Sequence, residues 1–134
     1  MTSNFGRAYS SMQVQSFKKQ RLEKRYDLKF LYDYYGDDLA SLREVLLLFL
    51  QETPELLLDI GRHLKAGSME QARAATHKIK TNLAMLGIAD RAGFMDHLHR
   101  APDTGERTGE TELLFTVFCR EVELALSEIR ADFF

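Results

Sequence analysis

From Leu28 to Ile129 the apolar residues return every third or fourth position, and no stretch alternates with period two. That pattern commits the chain to helices, and glycines cut it into segments. Asp27 can cap a short helix carrying Leu28, Leu31 and Tyr35, which Gly36 stops. Asp37 or Asp38 then caps a long helix with Leu39, Leu42, Val45, Leu46, Phe49 and Leu50 on its inner side. Pro54 falls inside this stripe, which resumes as Leu57, Leu58, Ile60 and Leu64, so the spacing predicts a kink or a restart there. Gly67 ends the element. Ser68 is placed to cap the next helix, with Gln71 in the capping-box position.

That next helix spans roughly 69–86, and Gly87 ends it with Ile88 as the apolar contact beyond. A fourth long element is predicted over about 89–100, with Ala92, Met95 and Leu98 inward. Residues 101–110 form a polar loop. Thr111 can cap the last helix, whose stripe is Leu114, Phe118, Val122, Ala125 and Ile129, and Glu112 suits its positive end. The expected fold is therefore all-α: an antiparallel, up-and-down four-helix bundle over residues 27–134, with a short helix at its N-terminal end.

A chain of 134 residues fits one such core. Its single cysteine, Cys119, excludes an internal disulfide and a cysteine-rich metal site, and fits a reducing cytosol. The longest all-apolar run, Val45 to Leu50, is too short to cross a bilayer. A net charge of −2 argues against a nucleic-acid binder, but the charge is uneven. Residues 1–29 carry Arg7, Lys18, Lys19, Arg21, Lys24, Arg25 and Lys29 against Glu23 and Asp27, a net of +5 that leaves −7 for the remainder. Residues 1–26 read as a basic, flexible leader, with a weak helix over 16–26. A solvated leader is the plain reading, and contact with a membrane surface or an acidic partner is the alternative.

The chemistry concentrates in Ala75-Thr76-His77-Lys78-Ile79-Lys80-Thr81-Asn82-Leu83-Ala84-Met85-Leu86-Gly87. At roughly 100° per residue, Met69, Ala72, Ala75, Thr76, Ile79, Leu83 and Leu86 gather on one buried stripe, and His77 lies about 140° away. Arg73, Lys80, Thr81 and Ala84 lie within about 60° of His77. His77 should thus face solvent with cations one turn to either side. Geometry alone leaves open a surface histidine without a role. The neighbouring cation favours more, because it would stabilise the negative charge of a phosphorylated ring. Imidazole is a nucleophile, partly neutral near physiological pH, and its bond to phosphorus is labile enough to pass the group on.

The run His77-Lys78-Ile79-Lys80 followed by Leu86-Gly87 resembles the histidine-containing phosphotransfer (HPt) domain of multistep phosphorelays. That family's motif is His-x-Leu/Ile-Lys-Gly, with a further Leu/Ile-Gly ending at the tenth position after the histidine. The segment from Asp27 to Leu64 is similar to the family's lid and first long helix, including the proline after the apolar run. The resemblance implies a four-helix bundle with a short lid, His77 as phospho-acceptor and Lys80 as charge stabiliser. It also implies a residue on the next helix that orients the ring, and the register places His99 there. The surrounding face (Arg73, Lys78, Thr81 and Ala84) is the expected docking surface. The partners implied are a response-regulator receiver domain, a hybrid sensor histidine kinase, or both. Mg²⁺ is expected on the receiver, and no cofactor on this chain. The implied protein is a cytoplasmic, monomeric phosphocarrier without autokinase activity, neither bound to nucleic acid nor inserted in a membrane.

One residue departs from the motif. Thr81 stands where the family has glycine, and a β-branched side chain there can narrow access to the ring or bond back to the helix or phosphate. It leaves open a second reading, a non-catalytic helical adaptor that docks receiver or kinase domains without transfer. A histidine-kinase dimerisation domain fits poorly, because His77 lacks the acidic residue and nearby proline typical of that family. Elsewhere, His63 reads as a cation near a helix C-terminus. His97 and His99, two apart, point to different sides of a helix, and a metal site joining one of them to His77 and Asp96 is a minor alternative. Cys119 reads as a small residue at the core edge.

Overall fold

A computed structural model describes residues 24–102 and 109–134. The expectations for the leader before residue 24 and for the centre of the 101–110 loop lie outside the described residues. Five helices are present, and no strand occurs among the described residues: α1 (Lys29–Tyr35), α2 (Leu39–Lys65), α3 (Met69–Leu86), α4 (Phe94–Arg100) and α5 (Gly109–Phe133). Helix α2 packs on α3, α3 on α4, α4 on α5 and α5 back on α2, so these four close a ring. Helix α1 rests on α2 and α3. The ring encloses one core that includes Leu42, Leu46, Ile60, Ile79, Leu83, Phe94, Phe118 and Ile129.

Local signals explain most helix ends. The Asp38 side chain accepts from the Ser41 backbone N–H at 3.1 Å and from its hydroxyl at 2.7 Å, which also holds the carboxyl below its ordinary range. Asp27 accepts from the Lys29 N–H at 3.0 Å, so its carboxylate opens α1 although Leu28 occupies the cap position itself. Gly36 and Gly67 take the left-handed backbone that ends α1 and follows α2. Ser68 stands at the N-cap of α3 but makes no side-chain capping bond, so the expected capping box does not form.

Expectations for α2 are met in part. Of the kink or restart expected at Pro54, the restart does not occur; a single helix runs from Leu39 to Lys65 through it. Proline removes one ladder hydrogen bond. Thr53, Leu50 and Leu57 are nevertheless buried on either side, and packing on both sides holds the two halves in one helix. Leu39 and Leu58, expected inward, are exposed. The α2–α3 interface also contains a polar element: the buried Asn82 amide donates to Glu52 Oε1 at 3.0 Å and to Thr53 Oγ1 at 3.3 Å, which satisfies it without solvent.

Residues 24–26 are not helical, and they are tied down. Arg25 donates from its backbone N–H (2.9 Å) and its guanidinium (2.6 Å) to Glu128, Lys24 pairs with Asp132 at 3.2 Å, and the Tyr26 hydroxyl donates to Asp132. The acidic partner of these leader residues is thus α5 of the same chain. The following backbone crosses the end of α3, where the Asp27 N–H donates to the Leu86 carbonyl at 3.1 Å. Gly87 permits that crossing. It sits at φ 62° as the cap of α3, and a Cβ there would lie 2.1 Å from the Asp27 carbonyl oxygen. Gly67 has a similar φ of 74° but open space around it. Gly87→Ala should therefore lower the unfolding free energy by about 3 kcal/mol, against about 1 kcal/mol for the left-handed strain alone in Gly67→Ala. Urea denaturation of both variants measures the difference; equal losses would mean that the Asp27 crossing does not constrain Gly87.

Candidate functional site

Helix α3 buries Met69, Ala72, Ala75, Thr76, Ile79, Asn82, Leu83 and Leu86. With that face fixed, His77 and Lys80 fall on the opposite side, one turn apart, and both are exposed. They line an open pocket of about 510 Å³ between α3 and α4, together with Arg73 and Thr76 from α3, and Met95, Asp96, Leu98 and His99 from α4. Asp90, from the connection between the two helices, completes the lining. The structure therefore brings His77, Lys80 and His99 to one depression. Lys78, Thr81 and Ala84 are exposed on the same helix but do not line it.

Helix α4 is shorter than expected, and the reason lies in Asp90. Its Oδ1 accepts from the N–H groups of Gly93 (3.1 Å) and Phe94 (3.2 Å), and its Oδ2 from Met95 (2.8 Å). The Phe94 and Met95 donors would otherwise be unpaired at the start of a helix, whereas the Gly93 N–H also reaches the Asp90 carbonyl at 3.2 Å. Gly93, at φ 73°, turns the chain into the first helical residue. The helix thus begins at Phe94 rather than near 89. Ala92 and Met95, expected inward, are half-buried; Phe94 instead fills the core, 5.2 Å from the Phe115 ring centroid and 5.0 Å from that of Phe118. Sequence reasoning missed Asp90 and Phe94. The signal was present, since an aspartate precedes a glycine–phenylalanine pair by three residues.

Arg73 behaves differently from Lys80. Arg73 is half-buried, and its guanidinium donates to α4, from Nε to the Leu98 carbonyl at 3.0 Å and from Nη2 to the Ala101 carbonyl at 2.6 Å. It was expected to stand beside His77 as an exposed cation of the docking face; the structure gives it a bonded place in the pocket wall. Thr76 is buried beneath His77 and its hydroxyl donates to the Ala72 carbonyl at 2.7 Å. Asp96 pairs with Arg100 at 3.3 Å.

The remaining candidates have structural surroundings. His97 Nε2 lies 2.8 Å from Thr111 Oγ1, joining α4 to α5. Thr111 is buried inside α5 and not at its cap, because the helix already includes Gly109. His63 is half-buried in the last turn of α2. Among the described residues no group of three or more His, Cys, Asp or Glu side chains is arranged to hold a metal ion, and no helix is long and apolar enough to cross a membrane.

Among the described residues the chain is all-helical, and it presents His77 and Lys80 exposed one turn apart beside a pocket between two helices. Residues 44–132 match the Hpt domain family, and the chain belongs to that family. Hpt domains carry phosphoryl groups in phosphorelay signalling, where they work with receiver domains and histidine kinases. No curated protein and no solved structure matches the chain.

Cys119 lies at the edge of the core, away from this pocket. Burial pushes its thiol up to about 11, with the negative charge of Glu123 adding to the effect. The thiol should stay protonated in the folded chain. At pH 8 iodoacetamide should alkylate native Cys119 about a hundredfold more slowly than the urea-unfolded chain. Equal rates in the two states would show that burial does not govern this thiol.

Proposed function

We propose that the chain relays a phosphoryl group between receiver aspartates through His77. The observation that carries this reading is the pairing of exposed His77 with exposed Lys80, one turn apart, on a pocket that His99 also lines. A neutral ring nitrogen of His77 attacks the phosphorus of an aspartyl phosphate. The N–P bond forms as the O–P bond breaks, and the carboxylate leaves with the receiver. The other ring nitrogen keeps its proton, so an acceptor facing it holds the ring in line for attack; His99 is the side chain assigned that task. Lys80 offsets charge on the transferring oxygens, a positioning and electrostatic role. Mg²⁺ for the step belongs to the receiver. Reversal by the same path makes the chain a carrier without autokinase activity.

The ring of contacts among α2, α3, α4 and α5 supports an antiparallel four-helix arrangement, with α1 as its lid. Exposed Lys78, Thr81 and Ala84 are assigned to the docking face. The reading includes a cytoplasmic monomer whose partners are a receiver domain, a hybrid sensor kinase, or both. Thr81 favours a second reading: exposed on the site helix, its branched side chain can keep a docked receiver from closing on the ring, which would leave an adaptor.

The test is transfer from a receiver carrying labelled aspartyl phosphate. Wild type should gain acid-labile label. His77→Gln should gain none. Lys80→Ala should slow transfer about a hundredfold, the low end of the range for one lost transition-state contact. Thr81→Gly should speed transfer if the threonine obstructs. Docking without label in wild type would sink the relay reading in favour of the adaptor, and label gained by Thr81→Gly would then identify the threonine as the block.

A further inference from the structure

We infer that Arg73 is a positioning residue, which sets His99 in place relative to His77 by stapling the C-terminal end of α4 to α3. The inference rests on the phosphotransfer reading of His77. Arg73 and His77 sit one turn apart on α3, so the helix backbone ties them rigidly. The two carbonyls that Arg73 holds, Leu98 and Ala101, bracket His99 in the chain. The Leu98 carbonyl also accepts from the Ala101 N–H at 3.3 Å, whereas the Ala101 carbonyl lies past the end of the helix. Ala101, in extended backbone, ends the helix. One guanidinium thus gathers two backbone groups at the end of α4 where His99 stands.

Helix α4 depends on such outside support. It has seven residues, too few to persist on its own. Asp90 fixes its first turn through three N–H groups, the last of them on Met95, one turn before His99. Phe94 and Leu98 anchor the buried face, while His99 is exposed and takes its position from the backbone around it. Arg73 is the side chain from α3 seen to hold that backbone. The contact uses the planar fork of arginine, with charged donors aimed at two acceptors; a lysine ammonium keeps the charge but cannot span both carbonyls in fixed geometry. The cation also meets the negative end of α4.

The role separates from two others the same residue could have. A cation acting on the phosphoryl group by charge alone would survive Arg73→Lys. A residue serving only general stability would act independently of His99. Transfer from the labelled receiver is therefore measured for wild type, Arg73→Lys, His99→Ala and the double variant. Arg73→Lys should slow transfer about tenfold or more, because small misplacements of a catalytic group are expensive in rate. The double variant should be no slower than His99→Ala alone. Multiplying effects, an unaffected Arg73→Lys, or an unaffected His99→Ala would each overturn the inference. Nuclear magnetic resonance of the imidazole protons tests the staple without a partner: the His99 signal should shift in Arg73→Lys while that of His63 stays. An unmoved His99 signal overturns the staple, whereas label-free wild type overturns the phosphotransfer reading and leaves the staple to the resonance measurement.

Discussion

The rotation of α3 about its own axis decides everything at the site. Ala72, Ile79, Leu83 and Leu86 are essentially inaccessible to solvent, so the helix has one face available for packing. A slip of one residue would turn it by about 100° and drive charged or polar side chains into the core. Burying leucine-sized side chains stabilises by roughly 1.5–3 kcal/mol each, so several together hold the rotation firmly. The exposure of His77 is a consequence of that packing. Gly87 then fixes where α3 ends, because the Asp27 backbone lies where a side chain would be. The start of α1 and the end of the site helix are thereby one junction.

The other wall of the pocket is held by polar contacts. Helix α4 is too short to stand alone, and its two ends are gripped by different elements, Asp90 from the preceding connection and Arg73 from α3. Between them Phe94 and Leu98 reach the core. Side chains on the exposed face of α4, His99 among them, therefore inherit their positions from two capping interactions as well as from burial. Perturbing either cap should move the pocket wall with little effect on α3, since α3 packs chiefly on α2.

What the sequence reveals of the fold follows the same division. Where burial decides, sequence was informative: the stripe of α3, the exposure of His77, Lys80, Thr81 and Ala84, and the stop at Gly87 could all be read from spacing. Where a side chain chooses between backbone partners, spacing was silent. Ser68 has the right type and position yet makes no cap bond, while Asp90 serves as a cap three to five residues ahead of its donors. Pro54 looked like a break because local cost was visible and the burial opposing it was not. Arg73 and Lys80 looked equivalent on a helical wheel, since a wheel shows direction and not what the neighbouring helix offers there.

That difference between two cations bears on how an open site can work. The pocket is wide, and both His77 and Lys80 are exposed, so water reaches the ring freely. In water a charge pair a few ångströms apart is worth only about 1 kcal/mol, and the same pair gains strength when a partner excludes solvent. On the phosphotransfer reading, Lys80 then has little effect on the free chain and most of its effect in the docked complex. Arg73, already committed to carbonyls in a half-buried setting, needs no such change of surroundings. On that reading one cation is committed to geometry before the partner arrives and the other acts through its charge afterwards. Thr81 stands on the exposed side where that closure must occur, which is why a residue outside the pocket lining bears on how well water can be excluded from within it.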